Sequence, residues 1–171
     1  MPPLPEPWLR GPVPGVAPAL QPAAHSLLQV TEDLLPLLRT LTHAEVWTRP
    51  GASAPIGFHV AHLAGSLDRL YTYARGEPLS EAQRAALAAE RTIAEAPPPV
   101  ADLIERLERT LADALAELRT LPPEDVFAPR AVGRAQLPST VIGLLFHGAE
   151  HSARHAGQIA TLAKVVRGQT A

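Results

Sequence analysis

Apolar residues return at helical spacing along most of the chain. In residues 23–41, leucine and valine recur three, four and seven positions apart, which is the period of an amphipathic helix. The same period marks residues 53–74, and residues 100–121 form a near-heptad seam with charged residues between the apolar ones. A fourth long helix is predicted over residues 137–167. No segment shows the alternation of a half-buried strand, so the sequence predicts four long helices and no sheet.

Capping signals and prolines separate these segments. Ser53 is the predicted N-cap of the second long helix. Ser80 and Gln83 form a capping-box pattern that opens a short helix over residues 80–94. Residues 124–136 fit no regular pattern and are predicted to be an irregular crossover. The predicted fold class is therefore all-α, a four-helix bundle with one short extra helix.

The beginning of the chain has a different composition. Eight of the nineteen prolines lie within the first 22 residues, and each proline fixes φ and removes a backbone donor. Residues 1–22 are therefore predicted to form an extended arm, followed by a single domain over residues 23–168. Trp8 and Leu9 are expected to anchor this arm on the domain, because a free tail rarely carries tryptophan.

Composition and charge exclude several classes of function. The chain has 171 residues, of which 46% are hydrophobic, and a net charge of −2, so no large positive field exists to attract nucleic acid. It has no cysteine, which excludes disulfides, thiolate metal sites and a cysteine nucleophile. The apolar runs are too short to cross a bilayer and no secretory signal is visible, so we expect a cytoplasmic protein without a membrane partner.

Five of the seven histidines lie in two clusters, His59 and His62 on the second long helix and His147, His151 and His155 on the last. Imidazoles four residues apart are separated by about 6 Å along a helix and can converge on one ion. Because His147 and His155 are about 12 Å apart along the axis, spacing leaves two pairs open, His147 with His151 and His151 with His155. One histidine of the second helix would complete a three-histidine site with open positions for water or substrate. Without an ion, these would be ordinary hydrogen-bonded histidines.

A second motif overlaps the last cluster. Residues from His147 to His151 match the H-x-x-E-H pattern of inverted zinc peptidases, in which Glu150 would be the general base. The match covers only five residues, and such enzymes also need a further ligand and a substrate-binding domain. Glu150 lies about 100° around the helix from His151 and four residues before Arg154, which favours a salt bridge over catalysis.

The residues around the histidines also resemble a known family. The last helix contains the run EHSARHAGQI at 150–159, the second contains GFHVAHLAGS at 57–66, and the chain opens with EPWLRG at 6–11. These runs resemble the DinB/YfiT-like metal-binding superfamily. The resemblance implies an up-down-down-up four-helix bundle, commonly a homodimer, that holds a divalent ion through three histidines. The matching positions are His62, His151 and His155.

The resemblance also implies a class of function. Relatives include transferases that activate low-molecular-weight bacterial thiols, and others are described as hydrolases. The expectation is a metal-dependent enzyme that takes a small-molecule substrate or a low-molecular-weight thiol, with Zn, Ni or Fe as the divalent transition metal. The alternative is a non-catalytic, dimeric helical-bundle binding or stress protein with a vestigial metal site.

Other residues of the two histidine helices have less specific expectations. His59, His147 and Gln158 each lie about one turn from a matched position, and each could line the pocket or orient a ligand. No catalytic residue is identified. Gly148 and Gly157 are predicted to let helices approach closely rather than to take part in chemistry.

Overall fold

The computed structural model of the protein describes residues 4–169, most of which are helical. The helices are α1 (Gln21–Leu38), α2 (His43–Trp47), α3 (Ile56–Ala74), α4 (Glu81–Ala89), α5 (Val100–Thr120) and α6 (Val141–Gln169). The strands β1 (Pro129–Val132) and β2 (Leu137–Thr140) form an antiparallel hairpin immediately before α6. Short 3-10 turns occur at Pro7–Leu9, Pro18–Leu20 and Pro123–Asp125.

The long helices α1, α3, α5 and α6 form a bundle in which α1 and α6 run parallel. Near the beginning of both helices, the hydroxyl of Ser26 donates to the carbonyl of Ala149 at 3.2 Å. Near the end of both, the guanidinium of Arg167 donates to the carbonyl of Thr40 at 2.9 Å. Two contacts that follow the same order along both helices define a parallel pair.

The helices α3 and α5 also run parallel to each other and opposite to α6. Gly65 lies near Arg106, and at the end of both helices Arg75 donates to Glu117 at 2.7 Å. Against α6, by contrast, the order of contacts is reversed, because His59 faces His155 and the later His62 faces the earlier His151, so this pair is antiparallel. The directions are therefore up, down, down and up in chain order, which confirms the predicted bundle.

Leucine and isoleucine fill the space between the helices. The largest fully buried side chains include Leu27, Leu34, Leu63, Leu67, Leu107, Leu111, Leu145 and Ile159. Each such side chain contributes about 1.5–3 kcal/mol relative to exposure, so this interior is the main source of stability. Within residues 4–169, every helix is too short or too polar to span a membrane.

The N-terminal arm is attached along α1. Val13 and Val16 are buried, and the side-chain amide of Gln21 bonds to the backbone of both. A bidentate ion pair between Arg10 and Glu32 fixes the arm further along the helix, at 2.8 and 2.5 Å. The arm is thus an ordered part of the fold wherever the structure describes it.

The expected anchoring of the arm through its tryptophan is wrong. Trp8 and Leu9 are 62% and 57% exposed, and the neighbouring Pro7 is buried instead. The indole N–H of Trp8 donates to the carboxylate of Glu6 at 2.6 Å, on the surface. Two 3-10 turns interrupt the otherwise extended arm, because proline is well suited to the first position of a short helical turn.

The segment before α6 is also predicted wrongly. In place of an irregular crossover over residues 124–136, the chain forms the β1–β2 hairpin, and the predicted start of the last helix falls four residues too early. The loop closes through a hydrogen bond from the backbone N–H of Gln136 to the carbonyl of Gly133 at 3.2 Å. The φ angle is 50° at Gln136 and 67° at Gly133. The hydroxyl of Thr140 then accepts from the amide of Gly143 at 3.1 Å and caps α6.

The capping signals have mixed outcomes. The capping box of Ser80 and Gln83 is present and opens α4, although that helix ends at residue 89 rather than 94. Thr42 caps α2 in the same way, and the sequence reasoning missed that helix. Ser53 lies two residues before the observed N-cap of α3, which is Pro55. Proline favours the extended conformation seen at this position.

Two glycines were expected at close helix contacts, and only one of them, Gly148, lies at such a contact. A Cβ at Gly148 would lie 3.1 Å from Leu67 and 3.2 Å from Tyr71, so α6 approaches α3 closely there. Gly157 has nothing within 4 Å of such a Cβ. The expectation for Gly157 is therefore wrong, and its missing side chain leaves open space on the surface of α6.

A third glycine provides a test of packing. The ring of Trp47 covers Gly57, where a Cβ would lie 2.6 Å from a ring carbon. Gly57→Ala should therefore lower the free energy of unfolding by about 1–3 kcal/mol, the usual cost of overpacking. Gly157→Ala, the matched control in open helix, should raise it by up to about 1 kcal/mol. Urea denaturation measures both, and shifts of the two midpoints in the same direction would contradict the packing described here.

Candidate metal centre

The antiparallel pairing of α3 and α6 brings the two histidine clusters together. His59 and His62 occupy one turn of α3 and face His155 and His151 of α6. The Nε2 atoms of His62 and His151 are 3.2 Å apart, and the Nδ1 atoms of His59 and His155 are 3.0 Å apart. Residues nearly a hundred positions apart in sequence thus form one imidazole cluster.

Three of these histidines have the geometry of a metal site. His62, His151 and His155 each offer a ring nitrogen, and these atoms all lie within 4.8 Å of one another. Nitrogens bound to one tetrahedral zinc at about 2.0–2.1 Å are about 3.3 Å apart, close to the observed separation of the first two. The cluster therefore fits a divalent ion with imidazole ligands, and it is compatible with metal binding.

The structure also resolves which pair of α6 histidines joins this cluster. The rings of His151 and His155 have centroids 4.6 Å apart, and the ring of His155 is 4.9 Å from that of His62. The side chain of His147 is 54% exposed, and its Nδ1 atom lies 3.5 Å from the carboxylate of Glu150. His147 therefore lies beside the cluster and not within it.

The side chain of Glu150 is held by a salt bridge. Arg154 donates to both of its carboxylate oxygens, at 3.0 and 2.6 Å. This bidentate contact holds the pKa of Glu150 below its ordinary value. The geometry matches the structural role predicted from the spacing of the two residues rather than that of a general base.

His59 and Gln158 border the cluster in different ways. His59 contacts His155, and one of the two facing nitrogens must donate to the other. Gln158 is exposed and lines a groove of about 550 Å³ that also contains His59. Within residues 4–169, the structure shows no hydrogen bond from Gln158 to an imidazole, so it borders the groove and does not orient a ring.

The sequence reasoning missed two neighbours of the cluster, both in contact with His62. The carboxylate of Glu90 accepts from its Nδ1 atom at 2.8 Å. The ring of Phe58 stacks on the imidazole, with an interplanar angle of 7° and centroids 5.7 Å apart. Phe58 precedes His59 in the matched run and could have been noted as a stacking partner. Glu90 is 28 positions away, and no local pattern connects it to the site.

The sequence around these histidines matches a known protein family. The model of the DinB superfamily matches residues 26–159, which include all four clustered histidines. The chain belongs to the DinB superfamily. A search of curated proteins finds no match to it.

In this member of the DinB superfamily, burial favours the uncharged form of His59, His151 and His155. Burial and the charges of His151 and His62 lower the pKa of His155 from 6.5 to about 4. Burial and the charge of His62 also lower the pKa values of His151 and His59. A histidine must be neutral to bind a metal, so these shifts prepare the nitrogens for ligation near neutral pH.

The same shift predicts how acid affects the metal-free protein. Because the folded-state pKa of His155 is about 4 and the ordinary value is 6.5, the unfolded chain takes up this proton first as the pH falls. Neutral His155 contributes its full stability above pH 6.5, the ordinary pKa of histidine. This contribution is lost as the pH falls from 6.5 through the folded-state pKa of about 4. Urea denaturation across this range should show a shallower loss for His155→Gln than for the unsubstituted protein. Parallel pH profiles would contradict the assignment.

Proposed function

We propose that this DinB superfamily protein is an enzyme that binds a divalent transition-metal ion through His62, His151 and His155. The observation that carries the proposal is the 3.2 Å separation of two Nε2 atoms from different helices, a distance that suits two ligands of one ion. The buried imidazole of His155 lies beside them, and its lowered pKa keeps it neutral. Three imidazole nitrogens on two packed helices are a preorganised ligand set.

An all-imidazole site suits Zn, Ni or Fe, and such an ion would act as a Lewis acid that lowers the pKa of a bound thiol or water. With three protein ligands, coordination positions remain for that molecule. The proposed reaction is therefore thiol S-transfer or hydrolysis. The salt bridge to Arg154 occupies Glu150, so the chain does not present that carboxylate as a base.

The groove beside His59 is the proposed substrate site. Its polar lining comes from Ser53, Arg154, Gln158 and Thr161 as well as the imidazole, and among the residues that the structure describes no carboxylate lines it. A volume of about 550 Å³ suits a small molecule or a low-molecular-weight thiol. Gly157 lies in its wall, where the missing side chain keeps the groove wide.

Replacing one ligand should remove the ion without unfolding the bundle. His62→Ala, His151→Ala and His155→Ala should each lose stoichiometric metal, because two imidazoles hold a divalent ion much more weakly than three. His147→Ala is the matched control, one turn away on the same helix and exposed, and should retain it. Metal content is measured by mass spectrometry after purification without a nickel column, with circular dichroism to monitor the helices. Full occupancy in His151→Ala would refute the assignment.

Turnover separates the enzyme from the non-catalytic alternative. We expect the metal-loaded protein to turn over a substrate in a panel of thiol–acceptor pairs and hydrolysable esters and amides, and His151→Ala to be inactive. Stoichiometric metal without turnover across the panel would favour a binding or stress protein with a vestigial site.

We also propose that the chain forms a homodimer through the surface between α1 and α6. Phe146 is 55% exposed there, in a groove that is also lined by Pro22, Ser26, Ala149, Ala153 and the ion pair of Glu150 with Arg154. A large exposed aromatic residue next to a mostly apolar groove is typical of an interface.

This interface predicts a change in association state. Phe146→Glu should convert the dimer to a monomer in sedimentation equilibrium, because a carboxylate would be buried at the contact. Phe127→Glu is the control, since Phe127 is 68% exposed on another surface. A dimer that survives the Phe146 change, or dissociates equally with both changes, would contradict the proposed surface.

A further inference from the structure

The carboxylate of Glu90 is buried beside the metal centre. Glu90 immediately follows α4 and is 5% exposed, and it is the sole buried carboxylate in residues 4–169. Its Oε2 atom accepts from Nδ1 of His62 at 2.8 Å, and its Oε1 atom accepts from Nη1 of Arg69 at 2.7 Å. A buried charge is expensive unless it is paired, and both of its oxygens are in use.

The space for this arrangement comes from a missing side chain. Gly65 lies on α3 between His62 and Arg69, and the ion pair passes directly over it. A Cβ at this position would collide with the Glu90 carboxylate and would lie 2.7 Å from Arg69 Nη1. The surface of α3 therefore has no side chain at Gly65, where the carboxylate of Glu90 reaches His62.

The chemistry of the contact fixes where the imidazole proton lies. Arginine stays charged and can only donate, so the contact of Arg69 with Oε1 at 2.7 Å pairs it with the ionised Glu90 carboxylate. An ionised carboxylate can only accept, so Nδ1 of His62 carries a hydrogen. In the Nδ1–H tautomer the free lone pair is on Nε2, and this is the atom that faces His151.

We propose that Glu90 is a positioning residue of the metal centre, which holds His62 in the Nδ1–H tautomer with its Nε2 lone pair directed into the cluster. Arg69 in turn holds Glu90 in place. This inference rests on the proposed metal-binding function. It adds a carboxylate that bonds to Nδ1 of His62, while Nε2 of the same ring is the metal ligand. His155, by contrast, has a neutral partner, since its Nδ1 atom faces His59.

The tautomer can be measured without any metal. Long-range ¹H–¹⁵N spectra of labelled, metal-free protein at about pH 8.5, above the ordinary imidazole range, distinguish the two neutral forms. His62 is assigned by comparison with His62→Gln. We expect Nδ1–H in the unsubstituted protein. We expect a population of Nε2–H in Glu90→Leu combined with Arg69→Met, which removes both buried charges and therefore preserves folding.

Cobalt binding gives the second readout. The Co²⁺ dissociation constant should rise about 10–100-fold in the double variant and in Glu90→Gln, the range typical for loss of such a partner. Glu95→Gln, an exposed change in the same connecting segment, should leave it unaltered. Only a role in orienting His62 moves the tautomer and the affinity together.

The two proposals fail in different ways. Nε2–H in the unsubstituted protein, or an unchanged tautomer and cobalt affinity in the double variant, would overturn the role of Glu90. If the unsubstituted protein binds no cobalt, the proposed metal function fails, and the tautomer of metal-free His62 alone then decides whether Glu90 positions the ring.

Discussion

The close approach of α3 to α6 at Gly148 is the contact on which the candidate metal centre depends. Leu67 and Tyr71 lie against the bare backbone of this glycine, so the two helix axes are held close together one turn before His151. The 3.2 Å separation between Nε2 of His62 and Nε2 of His151 is a direct result. A larger side chain at position 148 would push the helices apart and open the cluster, although it would touch no imidazole.

The sequence was sufficient to predict the four long helices, because a core of leucine and alanine repeats with the period of the helix. It also reduced the ligands to a few spacings. It could not choose between His147 and His155 as the partner of His151, because that depends on which turn of α6 faces α3. The family resemblance supplied that choice, and the structure places the rings of His62, His151 and His155 together.

Short strands and contacts between distant residues could not be predicted from the local sequence pattern. The strands of the hairpin have four residues each, too few for alternation to be recognised, and the positive φ at Gln136 has no clear sequence signal. Glu90 could not be found, because it joins His62 only after α4 and its connections fold back over α3. Local patterns describe one helix at a time, whereas this contact depends on how the connection between α3 and α5 folds.

The surface helix α4 is connected to the histidine cluster through polar contacts. None of the side chains of α4 is buried. Gln83 bonds to Asp68 and Thr72 near its beginning, and the carboxylate of Glu90 bonds to His62 and Arg69 at its end. Polar contacts of this kind open and close more readily than a packed core. Solvent exchange of the α4 backbone amides should therefore slow when the His62 ring is immobilised, so this outer helix would act as a reporter of events inside the bundle.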